Sequence, residues 1–276
     1  MPEIPELEAI RSYFNEQIVG RTIESCAVRI PTVVRTSAAE LRETLPGDSF
    51  GEVLRHGKFL LFPFASGRLL AINPMLTGRF QYLEAAVRLH AKTCLVLGVE
   101  GGRQFRYVDQ RLMGKVYLVA ASSLALIPNW ATNGPDLLSE ALTSEAWLGA
   151  ICRYRGQIKS ILTNAEFVQG IGNAYSDEIL WQAGIHPYTP RTKLSDGDLI
   201  SLFAAARAVM AWATPLVKNA MVKDGNLDYE ERRDFMRVHR LGGKSCPRCG
   251  TTISEITAGQ RITSFCRNCQ PEKPGG

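Results

Sequence analysis

The 276-residue chain is short of several features that would place it in a specialised class. No apolar run reaches the roughly 20 residues needed to cross a bilayer. The N-terminus is charged and lacks the apolar core of a secretory signal. There is no internal repeat, and no low-complexity tract precedes the polar tail at 271–276. Charge is mild: 32 Lys and Arg against 27 Asp and Glu leave +5, which permits a polyanionic partner without requiring one. Cysteine is sparse through most of the chain. Cys26, Cys94 and Cys152 stand alone, as expected of free thiols buried as small hydrophobes in a reducing compartment. We therefore expect a soluble, cytoplasmic protein with no membrane partner.

A hydrophobic content of 45% is enough for buried cores, and the length allows one large domain or two ordinary ones. Residues 5–19 read as a helix, with Leu7, Ile10, Phe14 and Ile18 on one face and Gly20 as a stop. From 21 to 120 the chain reads as short strands (21–30, 50–64, 67–73, 92–99, 103–109 and 114–120), a pattern of sandwich or barrel. Residues 121–142, with Pro128 and Gly134-Pro135, read as a linker. Helical patterns follow at 143–153, 156–164, 173–183 and 195–213, with Thr143 and Ser195 as N-caps.

Four stretches carry candidate chemistry. In Met1-Pro2-Glu3-Ile4-Pro5-Glu6, removal of Met1 would expose the secondary amine of Pro2. An α-amine has a pKa of about 7.7–8.0, so part of it is a neutral nucleophile near pH 7. The plain alternative is an ordinary helix start, with proline in the first turn and glutamates against the dipole. The loops Asn73–Arg79 and Asp109–Gly114 set Met75, Leu76 and Met113 beside arginines, as a minor-groove wedge requires and as a loop folded on its own core also would. Gln169-Gly170-Ile171-Gly172-Asn173 joins two helical patterns; its glycines allow a tight turn, and Asn173 opens a helix whose free N–H groups suit phosphate. Lys159 could add a charge-assisted contact there. Cys246-x2-Cys249 and Cys266-x2-Cys269, sixteen residues apart, have structural-zinc spacing with no open ligand position. The intervening residues read as a β-hairpin with its tip at 258–261, presenting Arg261. Six cations, Arg232, Arg233, Arg237, Arg240, Lys244 and Arg248, face one acid, Asp234, just before and within this region.

Together and in this order, Pro2-Glu3…Pro5-Glu6, Gly57-Lys58, the QGIGN turn and the four-cysteine hairpin resemble the formamidopyrimidine-DNA glycosylase/endonuclease VIII family. The resemblance spans the chain, and residues 161–187 look like that family's helix-two-turn-helix almost throughout. It implies an α+β multidomain fold: an N-terminal β-sandwich with a leading helix (1–120), a linker (121–142), a helix-two-turn-helix domain (143–240), a zinc-finger β-hairpin (241–270) and a tail (271–276). It implies a monomer acting on damaged double-stranded DNA, with one structural Zn2+ and no catalytic cofactor. Pro2 would attack C1′ of the damaged nucleotide, Glu3 would serve as acid/base and Glu6 would support it. Lys58 would contact the phosphate near the lesion, Asn173 and Arg261 would clamp the flanking phosphates, and His90 would touch the backbone. Leu76, Arg111 and Met113 would fill the void left by the extruded nucleotide.

The implied activity is a bifunctional DNA glycosylase/abasic-site lyase that excises oxidised bases by β,δ-elimination. The alternatives are an enzyme for abasic sites or other lesions with little 8-oxoguanine activity, and a non-catalytic binder of damaged DNA. Three features depart from the formamidopyrimidine branch: Asn73-Pro74-Met75-Leu76 replaces its usual wedge, Met113 stands where a phenylalanine is usual, and 224–239 is charged where that branch has a glycine-rich loop. The resemblance therefore does not carry 8-oxoguanine specificity to this chain.

Overall fold

The computed structural model describes residues 1–128, 130–228, 233–258 and 261–272. The expectations placed on Arg232, on Gly259 and Gln260 at the hairpin tip, and on the end of the tail fall outside these residues. The chain divides into two compact units, Met1–Ala131 with Thr214–Arg232, and Thr132–Ala213 with Arg233–Gly276.

In the first unit, α1 (Ile4–Gln17) buries Ile4, Leu7, Ile10 and Phe14, an i, i+3, i+4 stripe, and Gly20 at φ +78° turns the chain out of it. Ten strands follow: β1 (Ile23–Val28), β2 (Leu54–His56), β3 (Phe59–Pro63), β4 (Arg68–Asn73), β5 (Gly78–Glu84), β6 (Thr93–Val99), β7 (Arg103–Asp109), β8 (Lys115–Ala120), β9 (Val222–Lys223) and β10 (Asn226–Asp228). They form two antiparallel sheets, in the orders β1-β6-β7-β5-β10-β9 and β2-β3-β4-β8. All seven residues of β6 are buried, which explains why Thr93–Val99 reads as a continuous apolar run rather than an alternation. The sheets meet through Phe62 of β3, whose ring lies 5.1 Å from Phe105 of β7 and 6.2 Å from Phe80 of β5. Phe14 of α1 enters the same cluster, 5.2–6.3 Å from those three rings. The helix that carries the N-terminus is thus keyed into the sandwich core.

The second unit is helical. Trp147 of α3 (Ser144–Ile151) is fully buried against Phe167 and Phe203, and its indole N–H donates to the Leu199 carbonyl at 3.1 Å. Thr143 caps α3, accepting from Ala146 N–H. Then come α4 (Ile158–Leu162), α5 (Asn173–Ala183), α6 (Asp196–Met221) and the hairpin of β11 (Ser254–Ala258) and β12 (Arg261–Phe265). Ser195 caps α6 reciprocally with Asp198.

Several expectations are corrected. A helix, α2 (Ala38–Thr44), interrupts the all-strand reading of 21–120, started by Ser37 accepting from Glu40 N–H. Strand β5 occupies residues read as a turn and its sequel. Helix α6 continues past 213 and through Pro215, and its last turns group with the first unit, where Lys218 pairs with Glu16 at 2.5 Å. The chain then doubles back, and β10 covers the edge of β5 by pairing Leu227 with Tyr82 and Asp228 with Gln81. That pairing spans about 145 residues and has no local signature. By length and composition α6 could also cross a membrane, contrary to the expectation that no run would; in the structure its stripe Leu199, Leu202, Ala206, Val209, Ala213 and Val217 is buried in protein.

Because Phe14 joins helix to both sheets, Phe14→Ala should lower unfolding free energy by about 3–5 kcal/mol. A denaturant titration checks this, and a loss under about 1 kcal/mol would refute the keyed-core account.

Candidate functional site

The N-terminus is held by its own first turn. Glu3, the N-cap, accepts from the Glu6 backbone N–H, while Glu6 Oε2 accepts from Glu3 N–H at 2.9 Å. This is a capping box with both partners glutamate, and both carboxylates are buried, at 2% and 1% exposure. Capping contributes about 1 kcal/mol, and here it also fixes the direction in which the chain enters α1. Pro2, itself buried, precedes the cap. With Met1 attached the Pro2 nitrogen is an amide; without it the nitrogen is a secondary amine one residue before the capping box.

Lys58 lies in the two-residue turn between β2 and β3. Gly57 at φ +56° takes the left-handed position and Lys58 does not, the pattern of a type II′ hairpin. Arg55, nearly buried, ties this hairpin to α1: its Nε donates to Glu8 Oε1 at 2.6 Å and its Nη1 to the Gly57 carbonyl at 3.0 Å. The turn carrying Lys58 is thereby referenced to the helix carrying Pro2. His90 is exposed in the β5–β6 loop. Its Nδ1 accepts from Lys92 N–H at 3.1 Å, and its Nε2 lies 3.1 Å from the Gln110 side-chain nitrogen.

Leu76 and Met113 are exposed, at 40% and 39%, on the β4–β5 and β7–β8 loops, and Arg111 is exposed beside Met113. The loops are therefore not folded onto their own core at these positions. Met75 at φ +49° and Leu112 at φ +55° are left-handed, a conformation costing a bulky residue about 1–2 kcal/mol. Buried Asp109 and Tyr107 stand beneath both loops. The Tyr107 hydroxyl, pushed to a high pKa by burial and then by Asp109, lies where a Cβ on Gly78 or Gly114 would have to sit.

In the second unit, Gly170 at φ +95° makes the turn before α5, and Gln169 packs on the 134–135 backbone, its N–H donating to Pro135 and its amide to Gly134. Asn173 begins α5. Its Nδ2 donates to the Ile262 carbonyl at 2.8 Å, leaving that nitrogen a second hydrogen. Arg261, the first residue of β12, is exposed and has no acidic partner within ion-pair distance among the described residues. Asn173 and Arg261 are brought together through Ile262.

Lys159 is a correction. Its side chain is 9% exposed, and its ammonium donates to Asp177 Oδ1 at 2.6 Å, Thr263 Oγ1 at 2.9 Å and the Ile262 carbonyl at 3.0 Å. An ammonium has three donors, so Lys159 is a strut between α4, α5 and β12 rather than a hand for phosphate. Asp177 also accepts from Ser264 N–H and pairs with His239 Nδ1 at 2.7 Å. Its neighbour Glu178, whose pKa burial raises, accepts the backbone N–H groups of Arg237, Val238 and His239. Sequence reasoning missed Asp177 and Glu178 because their partners lie far along the chain, Lys159, His239 and Ser264 for one and the 237–239 backbone for the other. For Asp109, bonded to Thr77, Arg111 and Gly114, the only hint was an acid at a strand end before a glycine-closed turn.

The sulfurs of Cys246, Cys249, Cys266 and Cys269 lie within 4.8 Å of one another, with Cys246–Cys269 at 3.8 Å and Cys249–Cys266 at 3.5 Å. A tetrahedral zinc with bonds near 2.3 Å sets its sulfurs about 3.8 Å apart, so the set fits a closed structural zinc site. The Trp181 indole N–H points at Cys246 Sγ (3.4 Å), and Arg248 stacks on the same ring at 4.1 Å, a support of the kind that orients metal ligands.

Comparison with known proteins gives matches over the whole length. Residues 1–116 match the formamidopyrimidine-DNA glycosylase N-terminal domain, 133–223 that enzyme's H2TH domain, and 243–271 the zinc finger found in FPG and IleRS. The chain is 30% identical to formamidopyrimidine-DNA glycosylase of Pelotomaculum thermopropionicum, covering 99% of this chain and 100% of that protein. It is 31% identical to that of Chloroflexus aggregans, covering 98% of each. It superposes on Lactococcus lactis Fpg in a complex with abasic-site DNA at a TM-score of 0.89, with 25% identity over 98% of this chain and 100% of that one. MutM bound to carbocyclic 8-oxo-G DNA gives 0.87, with the same identity and coverage.

Metal analysis of the purified protein should return one zinc per chain, with Cys266→Ser reducing it to near zero and lowering the thermal midpoint. Full zinc occupancy in that variant would overturn the four-ligand assignment.

Proposed function

The chain belongs to the formamidopyrimidine-DNA glycosylase family and is a DNA glycosylase of base-excision repair, and we propose that it works through the amine of Pro2. The observation that supports this reading is the buried, reciprocal Glu3/Glu6 capping box, which anchors the chain immediately after the second residue. Abasic-site lyase activity is typical of the family, and an amine nucleophile accounts for both activities. Attack of the Pro2 nitrogen on C1′ displaces the base, and opening of the sugar gives a Schiff base. Glu3 protonates the departing ring oxygen and then relays protons. Loss of a C2′ proton breaks the C3′–O bond, and a second elimination breaks the C5′–O bond.

The other groups act on the duplex. Lys58, His90, Asn173 and Arg261 hold phosphates, contacts that set register and make affinity salt-dependent. Leu76, Met113 and Arg111 enter the stack where the damaged nucleotide leaves it, since a base inside a duplex is beyond the reach of any nucleophile. The substrate is damaged double-stranded DNA, and the protein acts as a monomer on the chromosome in the bacterial cytoplasm. The structural zinc supplies rigidity to the hairpin that presents Arg261 and takes no part in the chemistry.

Oxidised bases are the substrate class we favour, without a preference for 8-oxoguanine. Residues 224–239 support this. In place of a glycine-rich loop, Asn226–Asp228 is a strand of the first sheet and Arg237–His239 is tied to Glu178.

Borohydride trapping with abasic-site duplex, after mass spectrometry confirms loss of Met1, should give an adduct mapped to Pro2. Pro2→Thr should abolish it while sparing DNA affinity to within about 1 kcal/mol. Undiminished strand cleavage by Pro2→Thr would remove Pro2 from the mechanism.

A further inference from the structure

Asp109 has no contact with solvent, yet its carboxylate is shared between two exposed loops. Its Oδ1 accepts from Thr77 Oγ1 at 2.5 Å, and Thr77 belongs to the β4–β5 loop. The same oxygen accepts from Arg111 N–H at 3.2 Å, and Oδ2 accepts from Gly114 N–H at 2.6 Å, both in the β7–β8 loop. Thr77 closes the link directly, because its Oγ1 also accepts from Arg111 N–H at 3.0 Å. Each loop carries one bulky residue in the left-handed region, Met75 before Leu76 and Leu112 between Arg111 and Met113. A conformation that L side chains disfavour persists only where its surroundings over-determine it. Here the over-determining elements are the Asp109 carboxylate and the Tyr107 hydroxyl pressed on Gly78 and Gly114.

We propose that Asp109 is the positioning residue of the wedge. It joins the two loops so that Leu76, Arg111 and Met113 enter DNA as one rigid unit, and so sets the rate of nucleotide extrusion without touching DNA. The proposal rests on the wedge reading above and adds the element that couples its parts. The chemistry of the group explains why it is a carboxylate. Three donors converge on it from two sides, and a carboxylate offers acceptor lone pairs on both oxygens. In Asp109→Asn, the amide must turn two hydrogens toward either Gly114 N–H, which loosens the end of the β7–β8 loop, or the Thr77–Arg111 pair, which breaks the link between the loops, so the wedge loses a fixed point either way.

The test follows extrusion by stopped-flow fluorescence of 2-aminopurine placed beside a tetrahydrofuran abasic analogue in duplex DNA. Asp109→Asn should slow the rise by about ten- to hundredfold, the loss expected when bonds to a charged group are broken. Leu76→Ala should have far less effect in the Asp109→Asn background than in the parent, because the wedge is then already uncoupled. Trapping of single-stranded abasic DNA at Pro2, which needs no extrusion, should be retained and reports an intact fold. Extrusion at the parental rate in Asp109→Asn, or multiplicative effects of the two substitutions, would overturn the proposal. If Asp109→Asn does not fold, Thr77→Val carries the test: it removes the cross-loop bonds at a partly exposed site, should slow extrusion in the same direction, and at parental speed would equally overturn it. The fluorescence arm does not depend on Pro2 chemistry. A parent that extrudes but traps no abasic DNA defeats the lyase reading alone.

Discussion

The reciprocal bond between Glu3 and Glu6 is the constraint from which the functional reading proceeds. A chain terminus is ordinarily the least ordered part of a protein, whereas an amine nucleophile at residue 2 needs a fixed position. The capping box resolves the conflict by making the terminus part of a helix start. Phe14 extends the constraint inward by locking that helix between the sheets, and Arg55 carries it sideways through Glu8 to the turn of Lys58. Pro2, the proposed nucleophile, and Lys58 of the β2–β3 hairpin share one reference, the axis of α1.

Cations divide by burial into two kinds. Lys159 is neutralised by Asp177 and fully bonded within the protein, and removing one member of such a buried pair costs about 3–5 kcal/mol. Arg111 and Arg261 are exposed, with no acidic partner within ion-pair distance among the described residues. An unneutralised exposed guanidinium suits phosphate or a base edge, because little must be broken before it binds. The buried lysine sets where such an arginine stands: Lys159 and Asn173 both donate to the Ile262 carbonyl, one residue from Arg261. Charge alone does not separate the two kinds; burial and acceptor count do.

The same division explains what could be read in advance. Helix α1, the caps Thr143 and Ser195, the glycine turn before α5 and the zinc hairpin announce themselves through local spacing, and the structure holds them. Sequence leaves open whether Leu76 and Met113 are exposed, since a wedge and a core-packed loop share one composition; their accessibility excludes the core-packed loop. Two things had no local signature: strand β10 pairs with β5 about 145 residues away, and Lys159 looks from its surroundings like any surface lysine before a glycine turn. Helix α2 did carry one, the Ser37-x-x-Glu40 start, inside a stretch that otherwise reads as strands.

Glu178 and Asp109 carry that difference to its physical root. Each is a buried acid whose acceptors are filled mainly by backbone N–H groups: Arg237, Val238 and His239 for one, Arg111 and Gly114 for the other. A backbone donor has no residue identity, so nothing at the far end of these bonds marks the partnership in sequence. Yet an acid that gathers several N–H groups imposes a backbone path more strictly than a side-chain pair can, because the peptide groups themselves are fixed. Residues that meet the substrate must be chemically distinctive and are recognisable one by one. Residues that hold irregular backbone need only be acids in the right place, which makes them silent in sequence and leaves the irregular loops of this enzyme dependent on them.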